Sequence, residues 1–315
     1  MSEGNHKTET DAETHPVSAC DLRLPVRQTA PLVFSSPHSG RNYPHAFVAN
    51  AILDQVQLRR SEDAFVDEIF AAAPDLGAPL LRALFPRAYV DANREAFELD
   101  PAMFDEPLPN YVRTQSTRLT AGLGTIPRIV ADGVVITDKP LDFNEAKKRI
   151  EFNHTPYHQA LGNLLDSTHK VFGGVVLVDC HSMPSAGAPG VRNRALKNVD
   201  IVLGDCHGSA CATAITDLAE TTLSALGYRV QRNRPYAGGY ITRHYGQPDR
   251  AQHALQIEIN RSIYMDEHTI QRGPGMPGLI RDINRLIGAL CNAAPEILEH
   301  AGPTLHHATL PQAAE

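Results

Sequence analysis

The chain has 315 residues, and its 42% hydrophobic and 21% charged residues are typical of a soluble globular protein that buries a substantial core. The formal net charge is −7 and no segment is rich in lysine or arginine, which argues against binding to nucleic acid or to an anionic membrane. The N-terminal stretch lacks the apolar region of a secretory signal, and the 5 cysteines include no C-x-x-C pair. We therefore expect a cytoplasmic protein with reduced thiols and no membrane-spanning segment.

Composition divides the chain into a central globular part and two polar ends. Residues 1–25 contain few large apolar side chains and are predicted to form a disordered N-terminal tail, and residues 302–315 a loose C-terminal tail. No repeat or low-complexity linker interrupts residues 26–301, which are predicted to form a single α/β domain.

Short apolar runs alternate with amphipathic segments along this domain. In chain order, the pattern predicts a strand at 31–36, a helix at 61–73, strands at 78–85 and 88–93, a helix at 143–170, strands at 173–179 and 198–204, a helix at 209–227, strands at 228–233 and 253–260, and a helix at 279–290. Pro156 is expected to kink or split the helix at 143–170. Such alternation predicts an α/β fold whose sheet carries helices on both faces, and in such folds ligands bind beyond the carboxyl ends of the strands.

Two histidines lie where apolar strands are predicted to end. His38 follows the strand at 31–36, and His181 follows the strand at 173–179. Neutral imidazoles are good zinc ligands, and a catalytic zinc takes three protein ligands and keeps one position open. Asp63 and Asp67, four apart on the helix predicted at 61–73, could each supply the third ligand. The alternative is that these acids only favour the dipole at the start of that helix.

Further charged residues lie in or beside predicted strands. Glu258 lies inside an otherwise apolar strand, where a carboxylate is costly unless it is paired or close to a metal. It is a candidate general base, and the alternative is a buried ion pair with an arginine. Arg87, Asn93 and Arg94 could bind a substrate carboxylate or polarise a carbonyl, and the alternative is ordinary salt bridging.

Two other segments attract attention for different reasons. Gly238 and Gly239 predict a tight turn or a close approach to a ligand, with Tyr240 and Arg243 as pocket residues, unless this is only a structural loop. His207 repeats the local Asp-Cys-His order of His181, but it lacks the Ser-Met-Pro that follows there, so we interpret it as a loop residue.

Several motifs together resemble one enzyme family across roughly residues 30–290. They are PHSG at 37–40, VDANR at 90–94, VDCHSMPS at 178–185, GGYITRHYG at 238–246 and QIEINRSIYMDE at 256–267. In their order and spacing they resemble the N-formylglutamate amidohydrolase family. That family is similar to zinc hydrolases of the carboxypeptidase and aspartoacylase type, so the resemblance implies a zinc-carboxypeptidase-like α/β fold with a central mixed, mostly parallel sheet.

The resemblance also implies a ligand set and a base. One zinc ion per chain would be bound by His38, Asp63 and His181, with Glu258 as general base and proton shuttle. Carboxypeptidases place a glutamate three residues after the first histidine, but here that position is Arg41. The acidic ligand must come from further along the chain, which favours Asp63.

For the substrate, the resemblance implies that Arg87 polarises the scissile carbonyl and that Asn93 and Arg94 bind a carboxylate. The expected reaction is hydrolysis of an N-acyl amino acid, with N-formyl-L-glutamate giving formate and L-glutamate. Alternatives are a deacylase of another N-acyl amino acid, a carboxypeptidase-like enzyme, or a non-enzymatic binding protein on the same fold. The expected partner is this small-molecule substrate alone. The sequence does not indicate whether the protein is a monomer or an oligomer.

Overall fold

The computed structural model describes residues 18–130, 133–186 and 198–300. Strand β1 (Cys20–Arg23) lies within the predicted disordered tail, so the prediction of disorder through residue 25 is wrong at that end. This segment is ordered because it pairs antiparallel with β3 (Leu80–Ala83) and because Asp21 forms an ion pair with Arg82 at 2.8 Å. Residues 1–17 and the predicted tail at 302–315 lie outside the described ranges.

A seven-stranded mixed sheet forms the centre of the fold, in the order β1-β3-β2-β4-β7-β5-β6. Its remaining strands are β2 (Leu32–Ser36), β4 (Val175–Met183), β5 (Ile201–Gly204), β6 (Val230–Arg232) and β7 (Gln252–Asn260). Strands β3, β2, β4 and β7 are parallel neighbours, while β1 and β5 each join this block in the antiparallel sense. A separate two-stranded ribbon pairs β8 (Met265–Asp266) with β9 (Gln271–Arg272).

Helices cover both faces of the sheet, as the alternating pattern predicts. They are α1 (His45–Asn50), α2 (Gln55–Arg59), α3 (Val66–Ile69), α4 (Thr117–Thr120), α5 (Phe143–Arg149), α6 (Thr155–Phe172), α7 (Thr213–Ala225), α8 (Tyr240–Tyr245) and α9 (Met276–His300). One core holds α3, α7 and α9 against strand residues such as Phe34, Val178 and Ile257. The other core holds α5, α6 and α8 against Val33, Leu177 and other residues of opposite parity.

The long helix at 143–170 is present but contains an irregular turn. A π-helical turn at Ile150–His154 separates α5 from α6, and Pro156 lies in the first turn of α6. A proline is tolerated there because the first helical N–H groups have no intrahelical partner. The expected interruption is therefore found just before the proline.

Two predicted elements are wrong. The helix at 61–73 is only the four residues of α3, because Phe65 adopts a left-handed φ of 67° and the N–H of Asp63 donates to the carbonyl of His38 at 3.0 Å. Residues 88–93 form turns rather than a strand, because the N–H of Tyr89 bonds back to the carbonyl of Pro86 and the Asp91 side chain accepts from the N–H of Asn93. Tertiary and side-chain hydrogen bonds override local propensity in both segments.

No described helix combines the length and apolarity that crossing a bilayer requires.

Candidate active site

The carboxyl ends of the four parallel strands bring the predicted polar residues to one edge of the sheet. His38 lies two residues beyond β2 and Arg87 four residues beyond β3. Strand β4 continues to Met183, so His181 lies inside it rather than past its end, and it is the register partner of Glu258 on β7. Residues far apart in sequence therefore meet at the edge where ligands bind in such sheets.

His38, Asp63 and His181, here called the triad, lie close enough to share one metal ion. Each offers a ligand atom, and these atoms lie within 4.8 Å of one another in a buried setting. Asp63 Oδ2 lies 2.9 Å from His181 Nδ1 and 3.4 Å from His38 Nδ1. Ligand atoms of a tetrahedral zinc ion lie roughly 3.3 Å apart when each bond is about 2.0–2.2 Å long. The donor set and its spacing therefore fit zinc.

A buried atom without a hydrogen bond supports the same fit. His38 Nδ1 is fully buried and makes no hydrogen bond within the described part of the chain. An unsatisfied buried nitrogen is costly, and native structures usually give such an atom a partner. Because Nδ1 faces the carboxylate of Asp63, a metal ion held by the triad would supply that partner.

Each triad side chain is held from behind by a charged group. His38 Nε2 lies 2.7 Å from Asp91 Oδ1, and His181 Nε2 lies 3.0 Å from Asp179 Oδ2. Arg261 Nη2 donates to Asp63 Oδ1 at 2.9 Å. A carboxylate hydrogen-bonded behind a ligating histidine fixes which nitrogen carries the proton and orients the ring, as Asp91 does behind His38. The carboxylate of Asp179 lies within ion-pair distance of His181 but makes no hydrogen bond with any described residue, so its effect on His181 is electrostatic.

The sequence contained a signal for one of these supporting groups. Asp179 precedes His181 by two residues on the same strand, and such spacing puts both side chains on one face of the sheet. The supporting roles of Asp91 and Arg261 lack such a signal, because each acts on a residue more than fifty positions away.

Electrostatics in the triad are strongly coupled. Burial alone would raise the pKa of Asp63, but its hydrogen bond to His181 and the close contact with His38 hold that pKa well below its usual range. Burial would lower the pKa of His181, and the nearby carboxylates of Asp179 and Asp63 instead raise it well above its ordinary value. Both shifts favour a proton on His181 beside the buried acids when no metal ion is bound.

Glu258 is buried beside the triad without a salt bridge to an arginine in the described ranges. Its Oε1 accepts a hydrogen bond from Gln256 Nε2 at 2.8 Å. Burial raises the pKa of Glu258 to about 7, with the positive charge of His181 acting in the opposite direction. This is the range in which a general base works best near neutral pH. The alternative of a direct arginine ion pair does not hold for the described residues.

The two aspartates predicted as alternatives for the third ligand have different surroundings. Asp63 lies between the histidines, whereas Asp67 Oδ2 pairs with Arg82 Nη1 at 2.7 Å and with Arg41 Nη2 at 3.0 Å. The arginine that stands where carboxypeptidases have a glutamate thus neutralises Asp67, and Asp67 belongs to no metal-binding group among the described residues.

A cavity of about 410 Å³ opens above the triad. Arg87, Asn93 and Arg94 line it, together with residues that the sequence did not single out, among them Arg118, Tyr236, Gln256 and Arg261. Arg87 Nε donates to Asp91 at 3.1 Å, which leaves its two terminal nitrogens without a hydrogen bond inside the described ranges. Arg94 Nε donates to the carbonyl of Leu123 at 2.9 Å.

Three of the predicted substrate-binding residues are bonded to or stacked on neighbouring protein groups. The amide oxygen of Asn93 accepts from the N–H of Ile241 at 2.8 Å, and its nitrogen lies 3.2 Å from His181 Nε2. Tyr240 and Arg243 are absent from the cavity lining. The ring of Tyr240 stacks on His244 with centroids 4.9 Å apart, and Arg243 Nη1 donates to the carbonyl of Gly238 at 2.9 Å.

The two glycines and the second Asp-Cys-His segment behave as their local sequence indicates. A side chain on Gly239 would collide with Asn93, so only glycine permits that close approach. His207 lies in a turn at φ 59°, where its N–H donates to Asn233 Oδ1, and it is a loop residue as expected.

The fold and the cavity together are those of an α/β enzyme whose polar centre lies where parallel strands end. The family model described as N-formylglutamate amidohydrolase matches residues 30–265 of the chain. The chain therefore belongs to the N-formylglutamate amidohydrolase family, and it is an amidohydrolase.

Individual relatives agree with this assignment. An N-formylglutamate deformylase of Pseudomonas putida is 30% identical over 75% of this chain and 82% of its own length, and one of Pseudomonas aeruginosa is 30% identical over 76% and 84%. The crystal structure of an N-formylglutamate amidohydrolase from Ralstonia eutropha superposes with a TM-score of 0.82 at 35% identity, covering 90% of this chain and 99% of that one. A gene product of Agrobacterium tumefaciens, at 17% identity and a TM-score of 0.60, shares the fold over 87% of this chain and 94% of that one.

Proposed function

We propose that the protein is a zinc-dependent N-formylglutamate deformylase that hydrolyses N-formyl-L-glutamate to formate and L-glutamate. The observation that carries the proposal is the triad of two histidines and one aspartate, buried at the carboxyl edge of the sheet beside a further buried carboxylate, Glu258. Family membership supports the choice of substrate, since two relatives are N-formylglutamate deformylases.

In this proposal His38, Asp63 and His181 hold one zinc ion, which when bound acts as a Lewis acid on the formyl group. Glu258 accepts a proton from the attacking water, and its pKa of about 7 suits that task. It then donates the proton to the nitrogen of the leaving amino group. The bond between the formyl carbon and that nitrogen breaks, and formate and the free amino acid leave.

Arg87 and Arg94 divide the recognition of substrate in this proposal. Arg87 is oriented by Asp91 and keeps its terminal nitrogens for the formyl oxygen, where negative charge develops during attack. Arg94 binds the α-carboxylate, with Asn93 beside it. Because the Asn93 amide is already bonded to Ile241 and next to His181, its share in binding is to shape the site and hold Arg94, whose Nη1 donates to the Asn93 carbonyl at 2.8 Å.

A substrate panel with metal analysis tests the proposal. We expect purified protein to carry one zinc ion per chain, to release formate from N-formyl-L-glutamate, to lose activity when a chelator removes the metal, and to recover it with added zinc. Panel members with acetyl or longer acyl groups, and short peptides, test the deacylase and carboxypeptidase-like alternatives. Undiminished turnover after complete metal removal would contradict the zinc mechanism, and faster hydrolysis of another acyl group would replace the proposed substrate.

A further inference from the structure

Arg118 is a cationic side chain in the cavity. The proposed function gives it no role, either in holding the metal ion or in binding the α-carboxylate. It belongs to α4 and lines the same cavity as Arg94 and the triad histidines. Its guanidinium makes no hydrogen bond and no ion pair with any residue that the structure describes. Every other arginine of the cavity lining has at least one carboxylate within 4 Å.

The surroundings of Arg118 leave its charge uncompensated. Burial lowers the pKa of Arg118, and the positive charge of Arg243 lowers it further, while Glu98 and Asp91 act in the opposite direction without forming an ion pair with it. Arg94 has a pKa that burial also lowers, and the charge of Arg118 contributes to that shift. The two guanidinium groups therefore repel each other across a site that would be stabilised by added negative charge.

The backbone fixes the two arginines relative to each other. The carbonyl of Leu123 accepts from Arg94 Nε at 2.9 Å, and the N–H of Leu123 donates to the carbonyl of Arg118 at 2.9 Å. A single residue thus joins the segments that carry the two cations. The lining of the same cavity includes an apolar wall, formed by Leu123, Pro127 and Ile129.

We infer that Arg118 binds the second carboxylate of a dicarboxylic N-acyl amino acid, the one on the side chain, while Arg94 binds the α-carboxylate. The substrate class that this pairing selects has two carboxylates joined by a short aliphatic chain, whose methylene groups contact the apolar wall. The inference rests on the proposed function. It adds a residue that distinguishes substrates with an acidic side chain from substrates with a neutral one.

The test compares two substrates that differ only in the side-chain charge. N-formyl-L-glutamate and N-formyl-L-glutamine share the formyl group, the α-carboxylate and the chain length. Hydrogen bonds to charged groups are worth about 1.5–3 kcal/mol, so Arg118→Gln should reduce the preference in kcat/KM for the glutamate substrate by roughly tenfold to a hundredfold. An unchanged preference in this variant would overturn the inference.

Two further variants isolate the effect. Arg113→Gln removes an exposed arginine that pairs with Glu95 and lies outside the cavity lining, and it should leave the preference unchanged. Arg94→Gln should weaken both substrates by similar factors, because both carry the α-carboxylate. If Arg94→Gln changes the preference and Arg118→Gln does not, the two roles are not divided as inferred.

A binding measurement separates this inference from the proposed reaction. Calorimetric titration with L-glutamate and L-glutamine requires no turnover. Wild type should bind L-glutamate more tightly, and Arg118→Gln, but not Arg113→Gln, should remove most of that difference. If wild type fails to hydrolyse N-formyl-L-glutamate yet shows this pattern, the proposed reaction is wrong and the dicarboxylate subsite holds. Equal affinities for the two amino acids in wild type overturn the subsite.

Discussion

Asp63 and Asp67 are four residues apart and almost equally buried, at 1% and 2% exposure, yet they have opposite surroundings. Asp63 faces two histidines and receives one hydrogen bond from Arg261. Asp67 is bound by two arginines, Arg82 and Arg41. Burial alone therefore says little about what a carboxylate does in this protein.

The two clusters differ in whether the side chains around the aspartate could also bind a metal cation. Arginines keep their charge and satisfy Asp67 completely, so that cluster is a structural ion pair. Histidines can be neutral ligands, and the Asp63 cluster leaves the buried His38 Nδ1 without a hydrogen bond among the described residues. Glu258 is a third case, because it accepts a hydrogen bond from the neutral amide of Gln256 and forms no ion pair with an arginine of the described ranges. These contrasts give the following predictions, from the largest expected effect to the smallest.

The sharpest test exchanges the two aspartates for asparagine separately. Asp63→Asn should lose most of the bound zinc and reduce kcat/KM by about a thousandfold or more, since Lewis-acid stabilisation is worth several kcal/mol. Asp67→Asn should retain zinc and turnover. Metal content by elemental analysis and formate release decide the matter, and zinc loss in Asp67→Asn alone would reverse the assignment of the two residues.

Glu258→Gln should keep the fold and the metal but lose turnover. Glutamine is nearly the same size and can still accept the hydrogen bond from Gln256, but it cannot accept a proton. General base catalysis contributes about a hundred- to ten-thousandfold, and the rate should fall by that order. Zinc content and thermal stability on the same preparation are the controls. A near wild-type rate would remove Glu258 from the proposed mechanism.

Asp179→Asn should weaken zinc binding without abolishing it. Its carboxylate lies 3.0 Å from His181 Nε2, and loss of such a supporting group typically costs about tenfold to a hundredfold in metal affinity. Asp205→Asn is the matched control, since Asp205 heads the second Asp-Cys-His segment and bonds to Asn233 instead. Competition with a zinc chelator measures both, and equal affinity in the two variants would contradict the supporting role.

Zinc affinity should also depend on pH with a defined sign. In the metal-free protein the pKa of His181 is raised well above its ordinary value, so the imidazole is protonated at neutral pH. Zinc must displace that proton, and affinity should therefore fall by up to about tenfold for each unit of decreasing pH. Asp179→Asn removes a carboxylate that raises this pKa and should flatten the slope. If Asp179→Asn leaves the dependence of zinc affinity on pH unchanged, the proton on His181 is not its origin.

The smallest effect concerns the stability of the Asp67 cluster. Asp67→Asn leaves Arg82 and Arg41 without a common anion, but their side chains are 23% and 39% exposed and water can solvate them. We therefore expect a loss of about 1–3 kcal/mol in the free energy of unfolding, less than for a fully buried pair. Urea denaturation measures it against Asp75→Asn, an exposed neighbour that should change little.

Much of the architecture could be predicted because apolar periodicity reports burial directly. The strands around Phe34, Val178 and Ile257 and the helices α6, α7 and α9 follow from that pattern, as does the covering of both faces of the sheet. The pattern failed where hydrogen bonds from distant residues decide the backbone, as at Asp63, whose N–H bonds to the carbonyl of His38.

For the site, the sequence by itself determined the residue types and the motifs that mark the family, including the two histidines, Asp63 and Glu258. Only the tertiary structure decided which carboxylate joins the histidines and which joins the arginines, because Asp63 and Asp67 have the same local signals. The tertiary structure also places Arg118 in the cavity lining and leaves Tyr240 and Arg243 outside it. Side-chain partners across long sequence separations are set by how strands and loops pack, and local composition carries no record of that packing.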